Sequence, residues 1–202
     1  MYFQEAKEVM RDIDLPCWVA GGYLLSNFSH KPWRDMDIYL PSKQLKEKAA
    51  NRLVDKGYSI IECWDDNIIK GGATILQYKD TNHLIELIHN GNTPGETIQR
   101  FDFTVCCCSL NNDYMLEYHR EYFDHVDNRL LVYTGATPYT DIKRRLHRLK
   151  KYVTKGYGID KDNLTKWLNC AIEQHDTILD GTCNYIADFE TIKEPLNKRY
   201  RE

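Results

Sequence analysis

Two aspartates, Asp35 and Asp37, stand two residues apart in a short apolar segment that ends at Leu40. Residues two apart on a β-strand project to the same face, so we expect the two carboxylates to lie side by side. Adjacent carboxylates repel each other, and Mg²⁺, which prefers oxygen ligands, removes that penalty. Two such ions about 3.5–4 Å apart can activate an attacking oxygen and stabilise a leaving one. An isolated Asp-x-Asp is more often a solvent-facing strand edge, so the prediction needs support elsewhere in the chain.

Two other features provide that support. Gly21 and Gly22 follow a short apolar segment and open a predicted helix, where free backbone N–H groups favour a phosphate, although a Gly-Gly pair alone is usually a turn. Ser26, one helical turn later, could add a hydroxyl contact. Glu86 is an acid inside an otherwise apolar strand, His83–Ile88, which calls for a cation unless this strand is an edge with Glu86 in solvent.

A basic segment lies farther along the chain. Residues 141–155 contain seven lysines and arginines and one acid, Asp141, although the whole chain has a formal net charge of -3. The segment could attract a phosphate backbone or a triphosphate, or it could be the solvated face of a helix. Asp141 and Arg144 would share a helix face, so they could contact the edge of a base or simply form an intrahelical salt bridge.

The hydrophobic pattern predicts the elements that position these residues. We expect helices over residues 2–12, after Gly22, from Ser42 as N-cap to Lys56 with Gly57 as the stop, from about Thr140, and over Leu164–Leu179. We expect a polar tail that frays beyond Ile186. The predicted strands are Cys17–Ala20, Met36–Leu40, Tyr58–Cys63, Ala73–Tyr78, His83–Ile88, Phe103–Leu110 and Tyr114–Tyr118, with turns at residues 79–82 and 111–113.

Composition limits the class of protein. The chain has 202 residues, of which 42% are hydrophobic, so it can bury a core. No apolar run approaches the roughly 20 residues of a membrane helix, and the amphipathic start is neither a signal nor a transit peptide. The seven cysteines, three of them consecutive at 106–108, fit buried thiols in a reducing compartment better than disulfides or zinc. We therefore expect a cytoplasmic protein that does not enter a membrane.

The motifs, taken in order, resemble those of the DNA polymerase β-like nucleotidyltransferase superfamily. The similarity is greatest to the head and neck of class II tRNA nucleotidyltransferases (CCA-adding enzymes) and bacterial poly(A) polymerases. It covers roughly residues 17–160. The matching segments are VAGGYLLSNF with WRDMDIYL, the strand of Glu86, RFDFTVC from Arg100, DIKR from Asp141, and the basic helix that ends at Gly156-Tyr157.

The resemblance implies an α+β fold: a nucleotidyltransferase-type mixed sheet flanked by helices (residues 1–135), followed by a short helical neck (residues 136–202). It implies transfer of NMP from an NTP, such as ATP or CTP, to an RNA 3′ end, such as that of tRNA. Asp35, Asp37 and Glu86 would hold two Mg²⁺ ions, with Mn²⁺ as a possible substitute. The nucleotide-binding residues would be Gly21, Gly22, Ser26, Arg100, Asp102, Asp141, Arg144 and Arg145. In this set the block with Arg100 and Asp102 would handle the ribose, and Asp141 and Arg144 would read the base.

The chain also departs from the family pattern. Tyr23-Leu24-Leu25 replaces an Arg-Asp after the glycines, Phe101 and Cys106 replace an Arg and an Asn of the ribose block, and Thr140 replaces a Glu. The further helical domains that hold tRNA do not follow the neck, so we expect a small acceptor, a homodimer or a partner protein. Toxin-like NMP transfer to a protein or small molecule, and a catalytically silent nucleotide-binding protein, remain as alternatives.

Overall fold

The computed structural model describes residues 3–66, 71–79, 81–136, 142–173 and 189–199. Helices and strands alternate through the first two thirds of these residues. The helices are α1 (Gln4–Ile13), α2 (Gly22–Phe28), α3 (Lys43–Asp55), α4 (Pro94–Ile98), α5 (Tyr122–Asp127), α6 (Ile142–Thr154), α7 (Lys161–Glu173) and α8 (Leu196–Arg199). The strands are β1 (Trp18–Ala20), β2 (Asp35–Leu40), β3 (Ser59–Asp66), β4 (Gly71–Gln77), β5 (Leu84–His89), β6 (Cys108–Asn111), β7 (Met115–His119) and β8 (Thr191–Pro195).

The strands form one mixed sheet in the order β3-β4-β5-β2-β1-β6-β7-β8. Strands β2 and β5 run parallel, and the remaining neighbours run antiparallel. The parallel pair is possible because α3 and the β3–β4 hairpin form a long connection between them. The expected α+β fold, a mixed sheet flanked by helices, is confirmed.

One face of the sheet carries the main hydrophobic core. Met36 and Ile38 on β2 and Ile85 and Leu87 on β5 are fully buried there, together with residues of α1, α2, α3 and α5. Along β2 the alternate residues point the other way, and Asp35 and Asp37 are only half-buried. The strand therefore alternates as predicted, with apolar side chains toward the core and carboxylates on the opposite face.

The opposite face has a smaller apolar cluster beside α4. It contains Trp18, Ala20, Tyr39, Ile98 and Cys107, all buried. Helix α4 begins with a capping box, in which Thr93 and Glu96 bond each other's backbone N–H groups, and Pro94 occupies its first turn. This signature is readable in the sequence, but α4 and α5 were not predicted.

Local signals placed α3 correctly. The Leu45 N–H donates to the Ser42 hydroxyl at 3.2 Å, as expected for an N-cap. Gly57 follows the helix with a φ of 92°, a left-handed conformation that favours glycine.

Two predictions about strands were wrong. Residues 104–106 form a 3-10 turn rather than part of a strand, because the Thr104 N–H bonds the Val132 carbonyl and its hydroxyl contacts His125 Nδ1 at 2.7 Å. Apolar residues alone cannot distinguish a buried turn from a strand. The polar tail was expected to fray, but β8 pairs with β7, and Glu194 accepts a 2.7 Å hydrogen bond from the buried Tyr118 hydroxyl.

The C-terminal helices pack on the rest of the chain through aromatic side chains. Tyr152 on α6 and Trp167 on α7 are buried and lie 6.0 and 6.5 Å from the Phe103 ring, centroid to centroid. The predicted second helix begins at Lys161, and its residues 174–179 lie outside the described ranges. None of the described helices is long and apolar enough to cross a membrane.

Candidate active site

The parallel pairing of β2 and β5 brings the three predicted carboxylates together. Asp37 lies directly opposite Glu86 in the register of the two strands, and Asp35 is two residues away on the same face of β2. Neighbouring strands are about 4.8 Å apart, so the carboxylates on this face are near enough to repel one another. Strand spacing alone predicted the Asp35–Asp37 pair, whereas the approach of Glu86 depends on the sheet.

The pKa values of Asp37 and Glu86 reflect burial first and the neighbouring acids second. Burial, and then repulsion from Glu86 and Asp35, raises the pKa of Asp37 to about 7. Burial and the charge of Asp35 also raise the pKa of Glu86. Lys151 and Arg148 oppose the shift at Asp37, but they do not cancel it. The site thus has an excess of negative charge that a bound cation would relieve.

Two basic side chains lie beside Asp35. Arg34 Nη2 and Lys151 Nζ are each 3.7 Å from its carboxylate, in partly exposed pairs that are worth little for stability. Lys151 is the more informative of the two because it comes from α6, more than 100 residues away in sequence. Helix α6 therefore contributes a cation directly to the carboxylate site.

Arg148, one turn before Lys151, is held by a buried carboxylate. Its Nε and Nη2 donate to both oxygens of Asp102 at 3.1 and 2.8 Å, and the Asp102 side chain is only 1% exposed. A bidentate pair of this kind fixes the guanidinium geometrically. The resemblance assigned Asp102 to the ribose, but in this structure its two oxygens are taken up by Arg148.

Gly21 forms the floor of the site beside Asp37. It has a φ of 78° and a ψ of -132°, a conformation essentially confined to glycine. A Cβ at this position would lie 3.5 Å from the Phe101 ring and 3.8 Å from an Asp37 carboxylate oxygen. Both are ordinary contact distances, so it is the backbone conformation, and not a lack of space, that favours glycine here.

These groups surround a cavity of about 90 Å³, which we call the carboxylate cavity. Its lining consists of Gly21, Gly22, Asp35, Asp37, Tyr39, Phe101, Cys106, Arg148, Lys151 and Tyr152. Its volume is well below the roughly 300 Å³ at which pockets for small molecules begin. It is large enough for a phosphoryl group and a cation, so the rest of a nucleotide would extend beyond it.

The other predicted residues are distributed differently. Ser26 is buried and lines a second cavity with Leu25 and Phe28, away from the carboxylates. Arg100 and Arg145 are not part of the carboxylate cavity's lining, and Arg145 is 4% exposed. Asp141 lies outside the described residues, and only the backbone of Arg144, on α6, is described. The assignment of a base-reading pair to these two residues therefore stays a prediction.

Sequence reasoning did not single out six side chains that line the cavity: Tyr39, Phe101, Cys106, Arg148, Lys151 and Tyr152. Phe101 and Cys106 were noted only as departures from the family pattern, and Arg148 and Lys151 only as members of the basic segment. Arg148, Lys151 and Lys155 recur at i, i+3 and i+7, a spacing that places them on one helix face. The sequence shows this spacing, but it does not show which groups the three side chains lie beside.

Mg²⁺ suits these donors in kind. Carboxylate oxygens are its preferred protein ligands, and a cation would favour the ionised forms of Asp37 and Glu86, whose pKa values are raised by burial and by neighbouring acids. Among the described residues, no three Asp, Glu, His or Cys side chains are grouped closely enough to hold a metal ion by themselves. Mg²⁺ is usually held by one or two carboxylates plus water and substrate phosphates, so such a cage is not required. Metal binding here remains a prediction.

The fold is shared with solved nucleotidyltransferases. A tRNA-processing enzyme in its apo form superposes with a TM-score of 0.61 and 13% identity, over 85% of this chain and 47% of that one. The Thermotoga maritima CCA-adding enzyme complexed with tRNA superposes with a TM-score of 0.62 and 12% identity, over 86% and 42%. A CCA-adding enzyme with CTP gives a TM-score of 0.59. At such low identity the similarity establishes a nucleotidyltransferase-like fold and nothing finer.

Comparisons of sequence lead to a different kind of protein. Residues 2–129 match the family described as "Gabija anti-defense 2 family protein". The chain is 27% identical over 191 residues to "Gabija anti-defense 2" of Bacillus phage SPbetaL7, covering 90% of this chain and 41% of that protein. It thus spans about two fifths of the length of this relative.

Proposed function

This chain belongs to the Gabija anti-defense 2 family, and on that premise we propose that it counteracts a Gabija defence by nucleotidyl transfer. In this reaction an acceptor group attacks the α-phosphorus of an NTP, a bond forms to the NMP, and pyrophosphate leaves. The observation that carries the proposal is the placement of Asp35, Asp37 and Glu86 on one face of the sheet, with Lys151 and Arg148 lining the same cavity as the two aspartates.

The three carboxylates would hold Mg²⁺. The bound ions would supply charge neutralisation and lower the pKa of the attacking hydroxyl. Asp37, whose pKa is raised by burial and its acidic neighbours, gains most from a cation, because ionisation there is the most costly. Lys151 and the anchored Arg148 extend from the neck helix to the same cavity, where they would bind the triphosphate.

The acceptor that we favour is the 3′ end of an RNA such as tRNA, with ATP or CTP as donor. Support comes from the ordered motifs of the sequence and from the fold shared with a CCA-adding enzyme complexed with tRNA. Arg148 and Lys151 on α6 place positive charge next to the carboxylates, where the end of an RNA strand would approach.

A second candidate acceptor is a protein of the Gabija system itself. The family to which the chain belongs, and the name of its relative from phage SPbetaL7, favour a target within the defence rather than the host's tRNA pool. The same carboxylates would then transfer NMP to a protein hydroxyl.

One experiment tests both acceptors. The protein is incubated with each α-labelled NTP, Mg²⁺, and RNA or protein extracted from cells with and without a Gabija system, and the products are resolved on gels. Label in an RNA band supports tailing, and label in a protein band found only with Gabija cells supports the second acceptor. The Asp35→Asn variant should lose several orders of magnitude in rate, because it removes a predicted metal ligand.

Asp113→Asn is the matched control, since Asp113 is exposed in the β6–β7 turn. It should retain full activity. Label that appears equally with wild type and Asp35→Asn would contradict the assignment of the carboxylates. Absence of label with every NTP and both extracts would contradict nucleotidyl transfer.

A further inference from the structure

A second cavity, of about 170 Å³, lies at the far end of α2, where the chain after α5 and the chain after α6 meet. We call it the neck cavity. Three basic side chains, three hydroxyls and one carboxylate contribute to its polar lining: Lys31, Arg129, Lys155, Ser26, Ser29, Tyr157 and Asp127. Its formal charge is positive, which distinguishes it from the carboxylate cavity.

The three cations have no carboxylate partner in the described part of the chain: the ion pairs found there include none of Lys31, Arg129 and Lys155. Burial and the neighbouring charge of Lys151 lower the pKa of Lys155. A bound anion would relieve both effects. The cavity therefore has positive charge available for a ligand.

The backbone fixes the position of Arg129. The residue has a φ of 51°, and its carbonyl accepts the Gly158 N–H at 2.8 Å. Its guanidinium passes next to Gly156, where a Cβ would lie 3.6 Å from Nη1. Arg129 is thus tied to the segment that follows the neck helix, and this segment also provides Tyr157.

Two of the three hydroxyls, those of Ser29 and Tyr157, form a polar wall of the cavity. Ser29 Oγ and Tyr157 Oη are 3.0 Å apart, so one donates to the other and one proton stays available for a ligand. The Asp127 carboxylate can only accept hydrogen bonds, which suits a ligand with a hydroxyl close to its anionic group. A ribose phosphate combines the two.

The neck cavity is continuous in charge with the carboxylate site along α6. Lys151 is 3.7 Å from Asp35, and Lys155, four residues later, lines the neck cavity. Four residues of α-helix advance about 6 Å. A strand whose end lies at the carboxylates could therefore place a phosphate in the neck cavity.

We propose that the neck cavity binds a backbone phosphate of a single-stranded RNA whose 3′ end is the acceptor at the carboxylate site. The phosphate contacts Lys31, Arg129 and Lys155, and the 2′-hydroxyl donates to Asp127. The role of the RNA as acceptor rests on the proposed function, but binding of the RNA does not.

The test measures binding of a 5′-fluorescein-labelled single-stranded RNA 12-mer by anisotropy between 50 and 200 mM NaCl. The variant Lys31→Ala/Lys155→Ala is compared with Lys48→Ala/Lys56→Ala, which removes two exposed lysines and the same charge. Loss of this one phosphate contact in Lys31→Ala/Lys155→Ala should reduce the steepness of log K against log salt by about 0.7, which is about fivefold in affinity at 0.1 M salt. The control pair should keep the wild-type slope.

Arg129→Asn gives a second variant, since Asn tolerates the left-handed backbone at this position. It should also reduce the slope by about 0.7 while the thermal unfolding midpoint stays near that of wild type. A DNA 12-mer of the same sequence and inorganic phosphate serve as competitors. DNA should compete several-fold less well than RNA, and equal competition would overturn the role of Asp127. Inorganic phosphate that displaces RNA completely at micromolar concentration would overturn the RNA assignment in favour of a free phosphate ligand.

Failure of this inference can be told apart from failure of the proposed function. If wild type extends RNA but Lys31→Ala/Lys155→Ala keeps both the salt slope and the acceptor KM, the neck cavity is not a phosphate site and the function stands. If no transfer occurs but the cavity variants lose RNA affinity and the control pair does not, the cavity stands and the function fails. If the inference and the proposed function are both correct, the cavity variants should raise the acceptor KM and leave kcat unchanged. Asp35→Asn should instead lower kcat and leave the acceptor KM unchanged.

Discussion

Asp37 should make the stability of the metal-free protein depend on pH in an unusual direction. Its pKa is raised from the ordinary 3.8 to about 7 by burial, Glu86 and Asp35. Between these two values the folded chain binds the proton more tightly than the unfolded chain. The contribution is complete below the unfolded pKa and is lost as the pH rises through 7, so stability should fall between pH 5 and pH 8.5.

The magnitude follows from the two pKa values. One pKa unit corresponds to about 1.36 kcal/mol, and pH 5 lies two units below the folded pKa of about 7. The unfolding free energy should therefore fall by about 3 kcal/mol as the pH rises from 5 to 8.5. For a chain of this size, 1 kcal/mol shifts the unfolding midpoint by about 2–4 °C. Asp37→Asn removes the charge, so this variant should unfold several degrees above wild type at pH 8.5 and close to it at pH 5.

The assay is thermal unfolding in EDTA at both pH values, repeated at pH 8.5 with Mg²⁺. Mg²⁺ should raise the wild-type midpoint and should raise that of Asp37→Asn less, because a predicted ligand is missing. Asp113→Asn, exposed in the β6–β7 turn, should behave as wild type in every condition. If Asp37→Asn and wild type show the same change between pH 5 and pH 8.5, the carboxylate is not destabilised by burial and its neighbours, and the argument for a cation loses its basis.

Two further predictions concern residues around the carboxylates. Gly21→Ala should cost about 1–3 kcal/mol in unfolding free energy and lower NTP affinity, because the positive φ of Gly21 strains any residue that has a Cβ. Gly22→Ala, whose new Cβ would have no atom within 4 Å, should be neutral in chemical denaturation. Arg148→Met should cost about 3–5 kcal/mol in unfolding free energy, since it leaves the Asp102 carboxylate buried and unpaired. The double variant with Asp102→Asn should recover most of that loss. If the single and double variants are equally unstable, the two side chains are not coupled.

The sequence predicted the local elements well where one segment carries its own signal. The alternation of β2, with Met36 and Ile38 apolar between two acids, is a property of the strand itself. The Ser42 N-cap and the Gly57 stop likewise depend on hydrogen bonds and backbone conformations within a few residues. Local backbone geometry decides such features, so they can be predicted from the sequence before any tertiary contact is known.

The predictions that failed concern segments whose structure depends on contacts with residues far away in the sequence. The polar segment Thr191–Pro195 has no strand pattern of its own, and it becomes a strand because β7 offers a free edge and Tyr118 a buried hydroxyl for Glu194. The turn at residues 104–106 is stabilised by contacts with Val132 and His125, which lie more than 20 residues away. Periodicity cannot report on such partners.

The candidate site divides along the same line. The spacing of Asp35 and Asp37 fixed, by itself, that two carboxylates share a face of a strand, since the pleat of a strand repeats every two residues. Only the parallel pairing of β2 with β5 placed Glu86 opposite Asp37. Only the packing of α6 set Arg148 on Asp102 and Lys151 beside Asp35. Sequence thus determined which charges are present, and the tertiary structure decided which of them meet, because contacts between distant segments are set by how the sheet and helices pack.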